Sequence, residues 1–298
     1  MRYRIIINMF REKCLVLENK KVAPAHFILK MRSAAIAKRA RPGQFVQVLC
    51  ADSSDPLLPR PFSFLTATKN DFSLLYQVVG KGTRLLEQAK KGDTLWVLGP
   101  LGNGFNLGRR ETVVLAGGGV GIPPLYHLAE KLVEGKISVH VFLGARNKNL
   151  ILCEKEFRKL GVGARHAVPL HIATEDGSKG AKGLVTKPLE DFLKKIDPKQ
   201  TRIYTCGPTP MLKAVSLLSQ KYGMDCEVSV EEPMACGFGA CLGCAIRLKT
   251  QKSIVDSPQS IEKHDAKTIN YRLSTMDCYY AMACTEGPVF KADEIIWE

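Results

Sequence analysis

Between residues 12 and 100 the apolar positions come in short runs, many of them alternating with polar ones. Residues 14–17, 26–31, 45–49, 62–66, 72–79 and 94–98 each read as a strand, because alternation puts every second side chain on one face of a sheet. Pro42-Gly43, Asp55-Pro56, Lys69-Asn70 and Lys91-Gly92-Asp93 supply the turns between them. Short strands at this spacing predict a small antiparallel barrel or sandwich, interrupted by one helix over 83–89.

From about residue 110 the period changes. An apolar strand over 112–116 is followed by a glycine loop and a helix over 124–134. Strand 137–143, helix 154–159, strand 169–174, helix 188–196, strand 202–206 and helix 210–222 continue the alternation. This rhythm predicts a parallel sheet with helices on both faces. After Gly223 it breaks. A Gly/Cys-rich loop over 235–244 precedes a strand over 245–249, a polar stretch over 250–277 and a strand-like end over 288–297. The fold class is therefore α/β plus β, in three domains: a barrel over 1–108, an α/β domain over 109–225 and a small C-terminal domain over 226–298.

The chain has 298 residues, 45% hydrophobic and 24% charged, an ordinary composition for a protein with a large core. Its net charge of +14 is spread along the chain, and no basic patch interleaved with aromatics accompanies it, which argues against nucleic acid as a partner. No run of about 20 apolar residues predicts a membrane span. The apolar start over 1–10 is too short for a signal peptide and has no small-residue cleavage site after it, so a cytoplasmic location is expected.

Ten cysteines are present. Cys14, Cys50, Cys153, Cys206, Cys226 and Cys278 are scattered and read as small core residues. Cys236, Cys241 and Cys244 stand in the order C-x4-C-x2-C, the plant-type spacing for a [2Fe-2S] cluster. Glycines 237, 239 and 243 let the backbone curl close enough for its N–H groups to reach sulfur. A zinc site would more often show paired C-x2-C elements. Cys284 is favoured as the fourth ligand over Cys278, because Gly287-Pro288 turns the chain just after it.

Gly117-Gly118-Gly119-Val120-Gly121 lies between a strand and a helix, with Pro123 and Pro124 in the first turn, where missing N–H donors are tolerated. This makes Gly118, Gly119 and Gly121 candidates to cradle a pyrophosphate. The acid expected about 20 residues on for a ribose is missing, and Arg146 stands after the second strand instead. NAD and NADP both remain open. Cys206, Gly207 and Pro208 end a later strand and could shape the floor under a nicotinamide ring, with Cys206 either near the ring or buried. On the barrel, Arg60, Pro61, Phe62 and Ser63 suit a flavin: Arg60 can pair with a pyrophosphate and Ser63 can hydrogen-bond the ring. Gly80, Gly82 and Thr83 open the barrel helix and can bind the same phosphates. Tyr76, on the strand before them, completes the set.

These motifs together resemble the ferredoxin-reductase superfamily and, within it, the electron-transfer subunits of two-subunit dihydroorotate dehydrogenases. Arg60–Ser63, Gly80–Thr83, the run Gly99-Pro100-Leu101-Gly102-Asn103-Gly104-Phe105, Gly117–Pro124, Thr174-Glu175-Asp176-Gly177-Ser178, Cys206–Pro208, the cysteine loop and Cys284-Thr285-Glu286-Gly287-Pro288-Val289-Phe290 carry the likeness. It implies an FAD, a [2Fe-2S] cluster held by Cys236, Cys241, Cys244 and Cys284, and NAD. It implies an FMN-containing catalytic partner that oxidises dihydroorotate, with electrons passing from that FMN through the cluster and FAD to NAD+ in a heterotetramer serving pyrimidine synthesis. No residue here need act as acid or base, since cofactors carry the chemistry. The 250–282 stretch is longer than the family usually has. The competing readings are the small subunit of an NADH-dependent ferredoxin:NADP oxidoreductase or of a sulfide dehydrogenase, and a zinc-stapled nucleotide-binding module with no redox role.

Overall fold

The computed structural model describes residues 9–108, 111–160, 168–250 and 278–297. Six antiparallel strands, β1 (Phe10–Ala23), β2 (His26–Arg32), β3 (Phe45–Val48), β4 (Arg60–Ala67), β5 (Asp71–Gln77) and β6 (Thr94–Leu101), close into a barrel in the order β1-β2-β5-β4-β3-β6. Closure removes the unpaired sheet edges that an open sheet would carry. Alternation decides which side chains fill the barrel: Val46 and Val48 of β3, Phe64 of β4, and Phe72, Leu74 and Tyr76 of β5 point inward. Phe45, Leu65 and Leu75 point outward and are buried by the rest of the chain. A one-turn helix, α1 (Ala34–Ala37), and α2 (Lys81–Glu87) complete this domain. α1 is capped by the Ser33 hydroxyl, which accepts from the Ile36 amide at 3.1 Å, and is too short to register as a periodic pattern.

The second half alternates strand and helix as expected. Its strands are β7 (Thr112–Gly118), β8 (Ser138–Ala145), β9 (Leu170–Thr174), β10 (Ala181–Lys182), β11 (Thr201–Cys206) and β12 (Asp225–Ser229). The helices are α3 (Ile122–Glu134), α4 (Glu154–Lys159), α5 (Thr186–Leu193) and α6 (Thr209–Lys221). Two further strands, β13 (Ala245–Lys249) and β14 (Cys278–Met282), pair with each other, and a last one, β15 (Val289–Lys291), returns to the large sheet. That sheet runs β10-β9-β8-β7-β11-β12-β15, parallel except at β15. β7 is buried along nearly its whole length, as a central parallel strand covered on both faces must be. α3 and α4 cover one face, α5 and α6 the other.

Several features differ from the sequence expectation, the unanticipated strands β10 and β14 among them. β1 is 14 residues long rather than four, since its exposed lysines hide its alternation. β12 was not anticipated, and the expected division at 225/226 falls inside it: the parallel sheet runs on into the stretch 226–298. The terminal segment contributes only Val289–Lys291 as strand. Of the long polar stretch, residues 251–277 lie outside the described residues, while β14 begins immediately after it. Among the described residues no helix is long and apolar enough to cross a membrane.

α3 joins the two halves. Its apolar face packs against Leu65 and Leu75 on the barrel's outer surface. His127 lies on this helix, fully buried, with its ring 6.4 Å from that of Phe64 and no hydrogen-bond partner on either nitrogen. Burial, and next the charge of Lys131, push its imidazole down from 6.5 to about 4. Between these values the unfolded chain takes up a proton at this residue that the folded one does not. Stability from His127 is therefore full above pH 6.5, falls as the pH drops toward about 4, and by then has lost about 3 kcal/mol at 1.36 kcal/mol per pH unit. His127→Leu is expected to flatten the decline of the urea midpoint between pH 6.5 and 4; an unchanged slope would show that His127 is not its source.

Candidate functional site

The barrel strand β4 begins with Arg60-Pro61-Phe62-Ser63, paired to β3 with Val48 opposite Arg60 and Phe45 opposite Ser63. Arg60 Nη1 donates to the carbonyls of Leu58 at 2.7 Å and Pro59 at 3.3 Å. The guanidinium is thereby held over the start of α2: a Cβ on Gly82 would lie 3.2 Å from Arg60 Nε. Thr83 saturates its hydroxyl locally, accepting from the amides of Val79 at 2.9 Å and Gly80 at 3.1 Å and donating to the Gly80 carbonyl at 3.1 Å. Arg60, Gly80, Gly82 and Thr83 thus come together as one cationic, amide-rich corner. Cys50 lies under it, its thiol pushed up to about 11 by burial against the pull of Arg60. Ser63 and Pro61 share the outward face of β4 with Leu65, the face turned to α3. Phe62 is half-buried, its ring 5.7 Å from that of Tyr76.

Tyr76, the last of the expected flavin residues, has its side chain inside the barrel. It is 1% exposed. It stacks on Phe27 at 5.7 Å and donates its hydroxyl to Asn19 Oδ1 at 3.1 Å. Its position on β5 has the parity of Phe72 and Leu74, which alternation sends inward.

At the C-terminal edge of the parallel sheet, two glycine loops meet. β7 and β11 are neighbours, so the loops that leave them sit side by side. A Cβ on Gly121 would fall 2.4 Å from the Gly207 nitrogen, and one on Gly118 would fall 2.9 Å from Met211 Sδ and 3.5 Å from Pro208 Cδ. Only glycine permits this approach. Gly119, at φ +56°, faces open space in front of α3, whose first turn carries Pro123 and Pro124. Gly118, Gly119, Gly121, Gly207 and Pro208 are therefore assembled into one ledge. Cys206 is buried beneath it. Desolvation raises its thiol to about 12, against a hydrogen bond with Ser229 and helped by nearby Glu231.

The four cysteines also assemble. Cys244 and Cys284 are buried beside Phe45 and Leu101 of the barrel. Cys236 lies against the Cys241 thiol, Cys284 lies against that of Cys244, and Cys284 also feels Cys236. The amides of Phe238 and Cys241 both donate to Cys236 Sγ at 3.5 Å. Although burial opposes ionisation of Cys236, these amides, that of Ala240 and the Cys241 thiol hold its thiol down to about 7. Cys284 is pushed up to about 12, first by burial and then by the Cys244 thiol. Among the described residues no three of His, Cys, Asp or Glu form a site for a single metal ion. Four thiols under inward-pointing amides suit a two-iron cluster, in which each iron takes two cysteines. Gly237 and Gly239 have φ of +80° and +86°, as the curl of the loop requires. Cys278, the alternative fourth ligand, stands at the far end of β14, where Arg247 Nη2 donates to its sulfur at 3.8 Å.

Two groups of residues that the resemblance singled out without a role also border the site. Asn103 ties the barrel to the Cys284 turn: its amide donates to Gly287 O at 2.5 Å, and its side chain to Thr285 O at 3.2 Å and Glu286 O at 2.9 Å. The run Gly99–Phe105 signalled it, but only as part of a resemblance. The turn Thr174–Lys179 is bound to the end of β8: Glu175 N donates to Ala145 O at 3.0 Å and Asp176 N to Arg146 O at 3.2 Å. The Ser178 hydroxyl and amide hold the Asp176 carboxyl below its ordinary range. An acid thus stands beside the second strand after all, supplied by the third.

Residues 115–217 match the oxidoreductase NAD-binding domain, and residues 231–257 the iron–sulfur cluster binding domain of dihydroorotate dehydrogenase B. Over 287 residues the chain is 38% identical to the dihydroorotate dehydrogenase B (NAD+) electron transfer subunit of Desulforamulus reducens, covering 95% of this chain and 97% of that one. It is 35% identical to the corresponding subunit of Caldanaerobacter subterraneus, covering 97% and 99%. Among solved structures, an NADH-dependent reduced ferredoxin–NADP oxidoreductase superposes with a TM-score of 0.76 at 28% identity, over 95% of this chain and 90% of that one. A Neisseria gonorrhoeae ferredoxin NADP+ reductase with bound FAD and NADP shares the fold at a TM-score of 0.61 and 18% identity, over 72% and 92%. Barrel, parallel sheet and cysteine loop all fall within the span of identity: this chain belongs to the family of dihydroorotate dehydrogenase B (NAD+) electron transfer subunits.

Proposed function

We propose that this chain passes electrons from the FMN of a dihydroorotate-oxidising partner subunit to NAD+, in pyrimidine biosynthesis, and that it holds FAD, a [2Fe-2S] cluster and NAD to do so. The observation that carries this is the convergence on β3. The cysteine set packs on the outer face of that strand, and the strand hydrogen-bonded beside it begins with Arg60–Ser63. The two sites thus share one ladder, with Phe45, beside the cysteines, opposite Ser63. The 38% identity to dihydroorotate dehydrogenase subunits, against 28% to the ferredoxin–NADP oxidoreductase structure, favours this partner over the bifurcating relatives.

Each site has its work. Arg60, Gly80, Gly82 and Thr83 hold the FAD pyrophosphate by charge and by the amides at the start of α2. Pro61, Phe62 and Ser63 lie along the ring, with Ser63 offering a hydroxyl. Gly118, Gly119 and Gly121 bind the NAD pyrophosphate, and Gly207 and Pro208, over the protonated Cys206 thiol, support the nicotinamide. The adenosine half then extends the other way, over β8 and β9, where Asp176 accepts from the ribose hydroxyls. Cys236, Cys241, Cys244 and Cys284 hold the cluster. When bound, the cluster handles single electrons, and the flavin converts them to the pair that NAD+ takes as hydride. We divide the chain into a flavin barrel over 1–108, a nucleotide domain over 109–225 with β12 and β15 added to its sheet, and a cluster unit in the remainder of 226–298.

The test is to purify the tagged chain anaerobically and assay dihydroorotate-dependent NAD+ reduction by what co-purifies. Activity is expected. Its absence from a preparation that contains flavin and iron would remove the partner assignment. Cys284→Ser is expected to lose the cluster, read as visible absorbance and iron content, while Cys278→Ser keeps both; the reverse result would exchange the fourth ligand. Asp176→Ser is expected to raise the ratio of kcat/KM for NADP+ over NAD+ at least about tenfold, roughly 1.4 kcal/mol of discrimination, since the acid repels a 2′-phosphate. An unchanged ratio would exclude Asp176 from the ribose site.

A further inference from the structure

Gln47 lies on β3 with the outward parity of Phe45, between the flavin strand and the cysteine loop: Pro61 of β4 is its partner in the ladder. It is 1% exposed, and neither Nε2 nor Oε1 has a hydrogen-bond partner. Buried amides are normally satisfied, because leaving one unpaired forfeits its hydration with no return. A leucine here would fill the same space without that loss. The Gln47 side chain presses on the cysteine loop: a Cβ on Gly237 would meet its Cγ at 2.6 Å and its Nε2 at 2.9 Å. It also lines, with Cys236, Phe238 and Cys241, a largely apolar cavity of about 440 Å³ between the barrel and that loop. The amide therefore faces the half of the site built from Cys236 and Cys241, with no protein acceptor in reach.

We propose that Gln47 is a positioning residue whose side-chain N–H donates to a sulfur of the cluster at its Cys236–Cys241 half and so raises the cluster's reduction potential. This rests on the electron-transfer function proposed above. Sulfurs of such a cluster accept hydrogen bonds, and Nε2 is the end of the amide turned to the loop. Reduction adds a negative charge to the sulfurs, so a fixed N–H dipole favours the reduced form. The backbone amides of Phe238 and Cys241 already serve Cys236 from the loop itself. Gln47 adds a donor from the flavin-bearing barrel, which couples the potential of the cluster to the seating of the loop on β3.

The experiment is a redox titration of the full chain with cluster and FAD bound, following the cluster by electron paramagnetic resonance. Gln47→Leu is expected to keep its iron and to disfavour reduction by about tenfold, a midpoint lower by 59 mV for a one-electron couple. Gln47→Glu, which exchanges the donor for an acceptor, is expected to fall at least as far. An unchanged midpoint in Gln47→Leu with full iron content would overturn the proposal. Should that variant lose its cluster, the wild-type chain decides: with glutamine labelled by 15N at the side-chain amide, the reduced cluster is expected to show a weak nitrogen coupling, and no coupling would overturn the proposal. A wild-type chain with no [2Fe-2S] signal at all would instead overturn the functional assignment.

Discussion

The architecture turns on one asparagine. Asn103 leaves the barrel at the end of β6 and engages three successive carbonyls of the turn after Cys284, two through its side chain and one through its own amide. Around it the run 99–107 has no slack. A Cβ on Gly104 would lie 2.3 Å from Pro42 O, and one on Gly102 would lie 2.6 Å from Gly287 O. Three residues on, the Tyr204 hydroxyl donates to Asn106 O at 2.6 Å, and Asn106 N donates to Glu227 Oε2 at 2.9 Å. Flavin barrel, nucleotide sheet and cysteine turn are thus indexed to one short strip of backbone.

That strip explains why three binding functions can sit on three units and still act together. Electron exchange tolerates little variation in distance, and independent domains on flexible linkers would vary it. Here the run 102–106 is hydrogen-bonded and close-packed instead. α3 seals the barrel to the nucleotide domain with apolar contacts, and β3 seals it to the cysteines. The glycine ledge lies at the C-terminal edge of the parallel sheet, and the cysteines lie against β3.

Much of this was legible in the residues. The barrel's alternation, the strand–helix rhythm and the cysteine spacing are local patterns, and each led to the element it foretold. What escaped has a physical reason. Asp225–Ser229 reads as a polar, five-residue segment, because its strand character comes from neighbours on both sides rather than from its own composition. The burial of Tyr76 in the barrel follows from the two-residue period of β5, which a list of motifs does not show. The acid expected about 20 residues after the glycine loop is absent there, and Asp176, on the turn after the third strand, is the carboxylate that stands beside the end of the second. Gln47 gave no signal at all: a lone glutamine in an apolar run becomes notable only when its surroundings are known to offer it nothing.

The pairing of β13 with β14 has a bearing on how the family can vary. Lys249 and Cys278 are opposite each other in that ladder, and Val230 N donates to Pro288 O at 2.9 Å where the chain leaves and rejoins the sheet. The cysteine-bearing excursion is therefore fastened at its base and again partway along, like a hem stitched twice. Material added between residues 249 and 278 adds only slowly to the entropy of closing a loop. A change of chain length between these two strands therefore leaves the register of β13 on β14 and the fastening at the base as they are.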